Sequence, residues 1–173
     1  MTYPDEIHPL VGTRPIIAAA AVVFIADRQG NLLLLREKTG GPWHLPIGWM
    51  EPGETLETAA QRSILDLLSI TVDDLWLVNV FSGPQLARGK PGSEVFPITA
   101  AYLPRSVKGT LRANPRLAEL RFFATWNLRL DEVYPPDQPI VMHFIQRFPG
   151  GRPQSLEDMP GYHNKYFWED LSR

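Results

Sequence analysis

Four charged residues stand close together near the middle of this 173-residue chain: Glu51, Glu54, Arg62 and Asp66. Carboxylate oxygens can hold a hard cation, and a guanidinium can pair with a carboxylate or with a phosphate. The elements that position them follow from the local sequence. Thr55 is a suitable N-cap, and the residues after it predict a helix over 56–68. At about 100° per residue, Asp66 lies roughly 40° from Arg62, so the two share a face. Leu56, Ala60, Ile64 and Leu68 form an apolar stripe between about 120° and 240°, Leu67 joins it near ~140°, and Ser63 borders it near ~100°. Each charge also has a purely structural account. A carboxylate at Glu54, just before the helix, is favoured by the helix dipole by about 0.3–1 kcal/mol. An Arg62–Asp66 pair on an exposed face is worth a few tenths of a kcal/mol.

The stretch 48–70 resembles the Nudix box of the MutT-like Nudix hydrolase superfamily, whose pattern is Gly-x5-Glu-x7-Arg-Glu-U-x-Glu-Glu-x-Gly-U, with U a bulky aliphatic residue. Gly48, Glu54, Arg62, Ile64 and Ile70 fall on that spacing without a gap. The three glutamates after the arginine are replaced by Ser63, Asp66 and Leu67, and the last glycine by Ser69. The resemblance is therefore to a degenerate box. It implies hydrolysis of a phosphoanhydride, in which magnesium or manganese neutralises phosphate charge and activates water. It gives catalytic roles to Glu54, Arg62 and Asp66, with Arg62 bracing the loop, and leaves Glu51, Glu54 and Asp66 as weak metal ligands. Many members add a glutamate from a loop before a late strand. Here that region is 114–119, its expected position holds no acid, and Glu119 borders the strand. A serine hydroxyl is a far weaker ligand than a carboxylate, and Asp66 is shorter than glutamate by about 1.5 Å.

Three functions remain open on these residues. The first is a Nudix-fold protein, descended from hydrolases of nucleoside diphosphate derivatives, whose metal-dependent turnover is weak or lost. The second is an active hydrolase with a rearranged ligand set, and the third a nucleotide-binding or regulatory module without turnover. The cofactor is magnesium or manganese if activity is retained and none if it is lost. Arg36, Trp43, Trp49 and Phe81 are candidates for substrate binding, the aromatic ones by stacking on a base or sugar. Lys38, Arg88 and Lys90 are weaker phosphate candidates, since basic residues at strand ends are usually just solvated.

Composition narrows the partners. A formal charge of -2 gives no footprint for a nucleic-acid duplex or an anionic membrane. The absence of cysteine excludes disulfides, thiolate metal sites and a cysteine nucleophile. The apolar run 16–25 follows Asp5 and Glu6 and is too short to span a bilayer, so it is expected to be a buried strand in a cytoplasmic protein.

Proline-rich residues 1–14 are expected to form an extended lead-in, and 149–173 an aromatic extension carrying Tyr162, Tyr166, Phe167 and Trp168 that packs on the domain or on a second copy of the chain. Between them, 15–148 is expected to form one domain. Strands are expected over 15–26 and 32–36 as a hairpin closed by the 27–31 turn, then over 75–81, 95–103 and 120–125, with a helix over 137–147. Residues 82–94 form the tip of a second hairpin. This order predicts an α/β domain, and the resemblance specifies a Nudix-type α/β/α sandwich around a mixed β-sheet, strongest over about 14–123.

Overall fold

The computed structural model describes residues 2–151. The aromatic residues of the C-terminal extension lie outside the described residues. Four strands, β1 (Ile16–Val23), β3 (Ile47–Trp49), β4 (Ile70–Phe81) and β5 (Val95–Gly109), form a sheet in the order β3-β1-β5-β4. β1 runs parallel to β5, and the other pairings are antiparallel. A second sheet pairs β2 (Leu32–Arg36) with β6 (Glu119–Phe123), antiparallel. Helix α2 (Leu56–Leu68) covers one face and α3 (Gln138–Arg147) the other.

Alternation along the second half of β1 and the two residues after it explains why 20–25 is apolar at every position. Val22 and Phe24 belong to the α3-side core, where the rings of Phe24, Phe144 and Phe148 pack at tilted angles, while Ala21, Val23 and Ile25 share a core with Ala60, Ile64 and Leu68 of α2. A strand buried on both faces needs apolar residues at every position. The mixed α/β/α architecture is thus as expected. Among the described residues no helix is long and apolar enough to cross a membrane.

Three expectations are corrected. Residues 1–14 are not an extended lead-in: Tyr3–Val11 form a helix, α1. The Asp5 carboxylate accepts the Thr2 N–H and hydroxyl, both at 2.8 Å, closing the first turn. Pro4 sits in that turn, where a missing N–H leaves nothing unsatisfied, and Pro9 removes a single bond from a short helix. Counting prolines without their positions concealed this.

The 27–31 turn exists, held by the Asp27 carboxylate accepting the Gln29 and Asn31 N–H groups. The strands it joins nevertheless separate into different sheets. They stay linked only near the tip, where the Leu33 N–H donates to the Ile25 carbonyl at 2.7 Å. Both sides of β1 are already taken, by β3 and β5. β4 and β5 also extend beyond the expected segments, to Ile70 and Gly109, because polar residues such as Thr71, Asp73 and Asp74 on a sheet edge hide the strand signal.

Candidate functional site beside helix α2

Helix α2 starts as expected. The Thr55 hydroxyl accepts the Thr58 N–H at 3.1 Å, and the buried residues Ala60, Ile64 and Leu68 lie on the expected stripe. β3 lies directly against the helix. A Cβ on Gly48 would come within 2.5 Å of the Ser63 Cβ and 2.9 Å of the Ala59 carbonyl oxygen, so only glycine allows this approach. That contact fixes the loop 49–55 over the first turns of α2.

Arg62 holds the loop in place. Its Nε and Nη2 donate to the two oxygens of Glu54 at 2.6 and 2.8 Å, Nη2 also donates to the Trp49 carbonyl at 2.8 Å, and Nη1 lies 3.6 Å from Glu51. Glu54 in addition accepts the Glu51 N–H at 3.0 Å. The Arg62 hydrogen bond, helped by that N–H, holds the Glu54 carboxyl below its usual range, and the same contact raises Arg62. Arg62 therefore braces the loop with Glu54 as its hydrogen-bonded carboxylate. Asp66, four residues along the same face, stands exposed.

A cleft of about 540 Å³ opens along this face, lined by Trp49, Glu51, Arg62, Ser63, Asp66 and Leu67. Its remaining walls come from Ile47 and Gly48 of β3, and from Thr2 just before α1, Glu37 after β2, and Arg116 and Leu117 in the loop before β6. Sequence reasoning named neither Thr2 nor Glu37, and considered 114–119 only for an acid, not for Arg116 or Leu117. The usable signal was Asn114-Pro115, a turn that brings its neighbours back toward α2. An apolar hollow of similar size, about 530 Å³, lies between Ile17, Pro84, Phe96 and Ile98, and its lining has no titratable side chain.

Of the four substrate-binding candidates, Trp49 alone lines the cleft. Trp43 is 2 % exposed and packs edge-on against Phe123. Arg36 lies over the Trp43 ring at 4.2 Å and pairs with Glu119 at 2.5 Å. Phe81, at the end of β4, meets the His143 ring. Arg88 pairs with Asp137, while Lys38 and Lys90 are exposed away from the cleft lining. Asp137 gave no sequence signal. Fully buried, it also accepts the Leu45 N–H at 2.9 Å and so anchors the segment leading into the box.

The donor set does not fit a multi-carboxylate magnesium site. Magnesium requires near-octahedral oxygens at about 2.0–2.1 Å. Both Glu54 oxygens are engaged by Arg62, and the Ser63 hydroxyl donates to the Ala60 carbonyl at 3.0 Å. Leu67 packs against the α2-side core. Among the described residues, no three histidines, aspartates or glutamates gather closely enough to hold a metal ion.

The chain is 24% identical to the 8-oxo-dGDP phosphatase NUDT18 of Mus musculus over 139 residues, 79% of this chain but 40% of that protein. It is 30% identical over 113 residues to the ADP-ribose pyrophosphatase of Methanocaldococcus jannaschii, 64% of each chain. The chain thus spans less than half the length of the mouse relative. In three dimensions it is similar to the E. coli ORF135 protein, with a TM-score of 0.61, 21% identity, and coverage of 80% of this chain and 95% of that one. It is likewise similar to the MutT protein of Methanosarcina mazei, with a TM-score of 0.61, 16% identity, and coverage of 77% and 96%. Those likenesses speak to the fold alone. The NUDIX domain model matches residues 16–144, most of the chain, and the protein therefore belongs to the Nudix family.

Proposed function

We propose that this Nudix domain holds a nucleoside diphosphate derivative in the cleft beside α2 and that its metal-dependent hydrolysis of the phosphoanhydride is weak or lost. The observation that carries this reading is the state of two box positions. Ser63 has its hydroxyl on the Ala60 carbonyl, and Leu67 has its side chain against the core. Neither offers a carboxylate where the family pattern has one. Losing a single group that stabilises transition-state charge typically costs about 10²–10³-fold in rate, and here two are replaced. Asp66, Glu51 and Glu54 are the acids on which residual turnover would rest. The names of the two relatives, an 8-oxo-dGDP phosphatase and an ADP-ribose pyrophosphatase, support the substrate class.

The purified chain, assayed with magnesium and with manganese against ADP-ribose, 8-oxo-dGDP, dinucleoside polyphosphates and sugar nucleotides, tests this. Little or no metal-dependent turnover is expected, and substantial turnover would overturn the reading. A companion variant combining Ser63→Glu with Leu67→Glu is expected to gain divalent-cation affinity in calorimetry. A folded double variant with unchanged cation binding would show that the box has been placed on the wrong residues.

A further inference from the structure

We propose that Arg116 is the phosphate-binding residue of the cleft, so that a nucleoside diphosphate derivative is taken up there without a bridging divalent cation. This rests on the cleft being the ligand site, and adds how the ligand's charge is met. The loop carrying Arg116 is fastened to the end of α2. The Arg112 N–H donates to the Leu68 carbonyl and the Asn114 N–H to the Leu67 carbonyl, both at 2.8 Å, and the Asn114 side-chain amide donates to the Asp66 carbonyl at 2.9 Å. These are carbonyls that a helix C-terminus leaves without intrahelical partners. The loop is therefore held by obligatory hydrogen bonds.

Asn114 also orients the arginine. Its Oδ1 accepts the Arg116 backbone N–H at 3.0 Å and Nε at 3.3 Å. The two terminal guanidinium nitrogens have no hydrogen-bond partner among the described residues, and Arg116 is one of the residues lining the cleft, together with Asp66 and Leu67. The other arginines considered as site candidates are committed: Arg62 to Glu54, Arg36 to Glu119 and Arg88 to Asp137. A guanidinium with both terminal nitrogens available matches two phosphate oxygens. It supplies beside Leu67 the positive charge that a carboxylate-held cation would otherwise bring. Asp66, Glu37 and Glu51 line the same cleft and oppose an anion. Removing the Asp66 charge should therefore strengthen binding, the reverse of its effect if it held a metal.

Calorimetric titration with ADP-ribose, and with inorganic pyrophosphate as a probe lacking the nucleoside, tests this in EDTA and in magnesium. Binding in EDTA is expected. Arg116→Ala should weaken it roughly tenfold or more, Arg116→Lys should retain part of it, and Asp66→Asn should tighten it. An unchanged melting curve for Arg116→Ala would show that the loss is local. Binding that requires magnesium, is indifferent to Arg116→Ala and is weakened by Asp66→Asn would overturn this inference while leaving the cleft as the ligand site. No binding of either probe under either condition would overturn both.

Discussion

Arg62 meets Glu54 at the rim of the box cleft, where the arginine side chain is 33% exposed, whereas Arg88 meets Asp137 where the carboxylate is entirely shielded from water. At the rim, solvent can replace part of what either partner loses. At Asp137 it cannot. That carboxylate is the hydrogen-bond acceptor for both the Arg88 guanidinium and the Leu45 N–H, and so ties the 82–94 loop and the start of α3 to the segment entering the box. The rim pair shapes the loop over the site. The buried pair fixes the framework on which that loop is mounted.

Asp137→Ala should have the largest effect, a loss of about 3–5 kcal/mol in urea denaturation, because it leaves the Arg88 charge buried and unpaired. A loss below about 1 kcal/mol, the range of exposed pairs, would erase the distinction between the two regions. Arg62→Ala should cost less, about 1–2 kcal/mol, since charge-assisted hydrogen bonds are lost at a site that water can partly reach. Its clearer signature is faster amide exchange across 49–54, with the strands beneath unchanged.

The smallest effects separate the pairs by pH. The Arg62 hydrogen bond holds Glu54 below its ordinary 4.5, so between the folded and unfolded values the unfolded chain binds more protons. This contribution is present above about pH 4.5 and is lost as pH falls through the lowered folded value. The acid-side slope of stability should therefore flatten in Arg62→Ala. Beside Asp137, burial lowers His44 from its ordinary 6.5, assisted by Arg88 and opposed by Asp137. Protonation thus favours the unfolded chain, and stability should fall as pH drops below about 6.5, a decline that His44→Gln should remove. A slope insensitive to that substitution would mean that the histidine is not shielded.

What could be read directly was local. The box spacing from Gly48 to Ile70, the Thr55 cap, the 56–68 helix and the Leu67 side chain turned toward the core all depend on neighbours a few positions apart. The Arg62–Glu54 pair spans eight positions, and the family pattern names both residues. Helix α3 was visible for the same reason, through apolar residues at helical spacing with Pro139 in the first turn. Helix α1 was missed although its cap is equally local, because proline was weighed by number and not by place.

Long-range partners were decided only by the tertiary structure. Arg36 finds Glu119 across 83 positions, Arg88 finds Asp137 across 49, and Leu45 finds Asp137 across 92. β2 leaves β1 for β6, and the 112–117 loop carries Arg116 to the end of α2. Hydrophobic periodicity and capping record which face of an element is buried, but they carry no information about which distant charge will share that burial. That choice follows from how the layers stack, since a buried ionisable group must be met by whatever donor the packed sheet and helices bring to it.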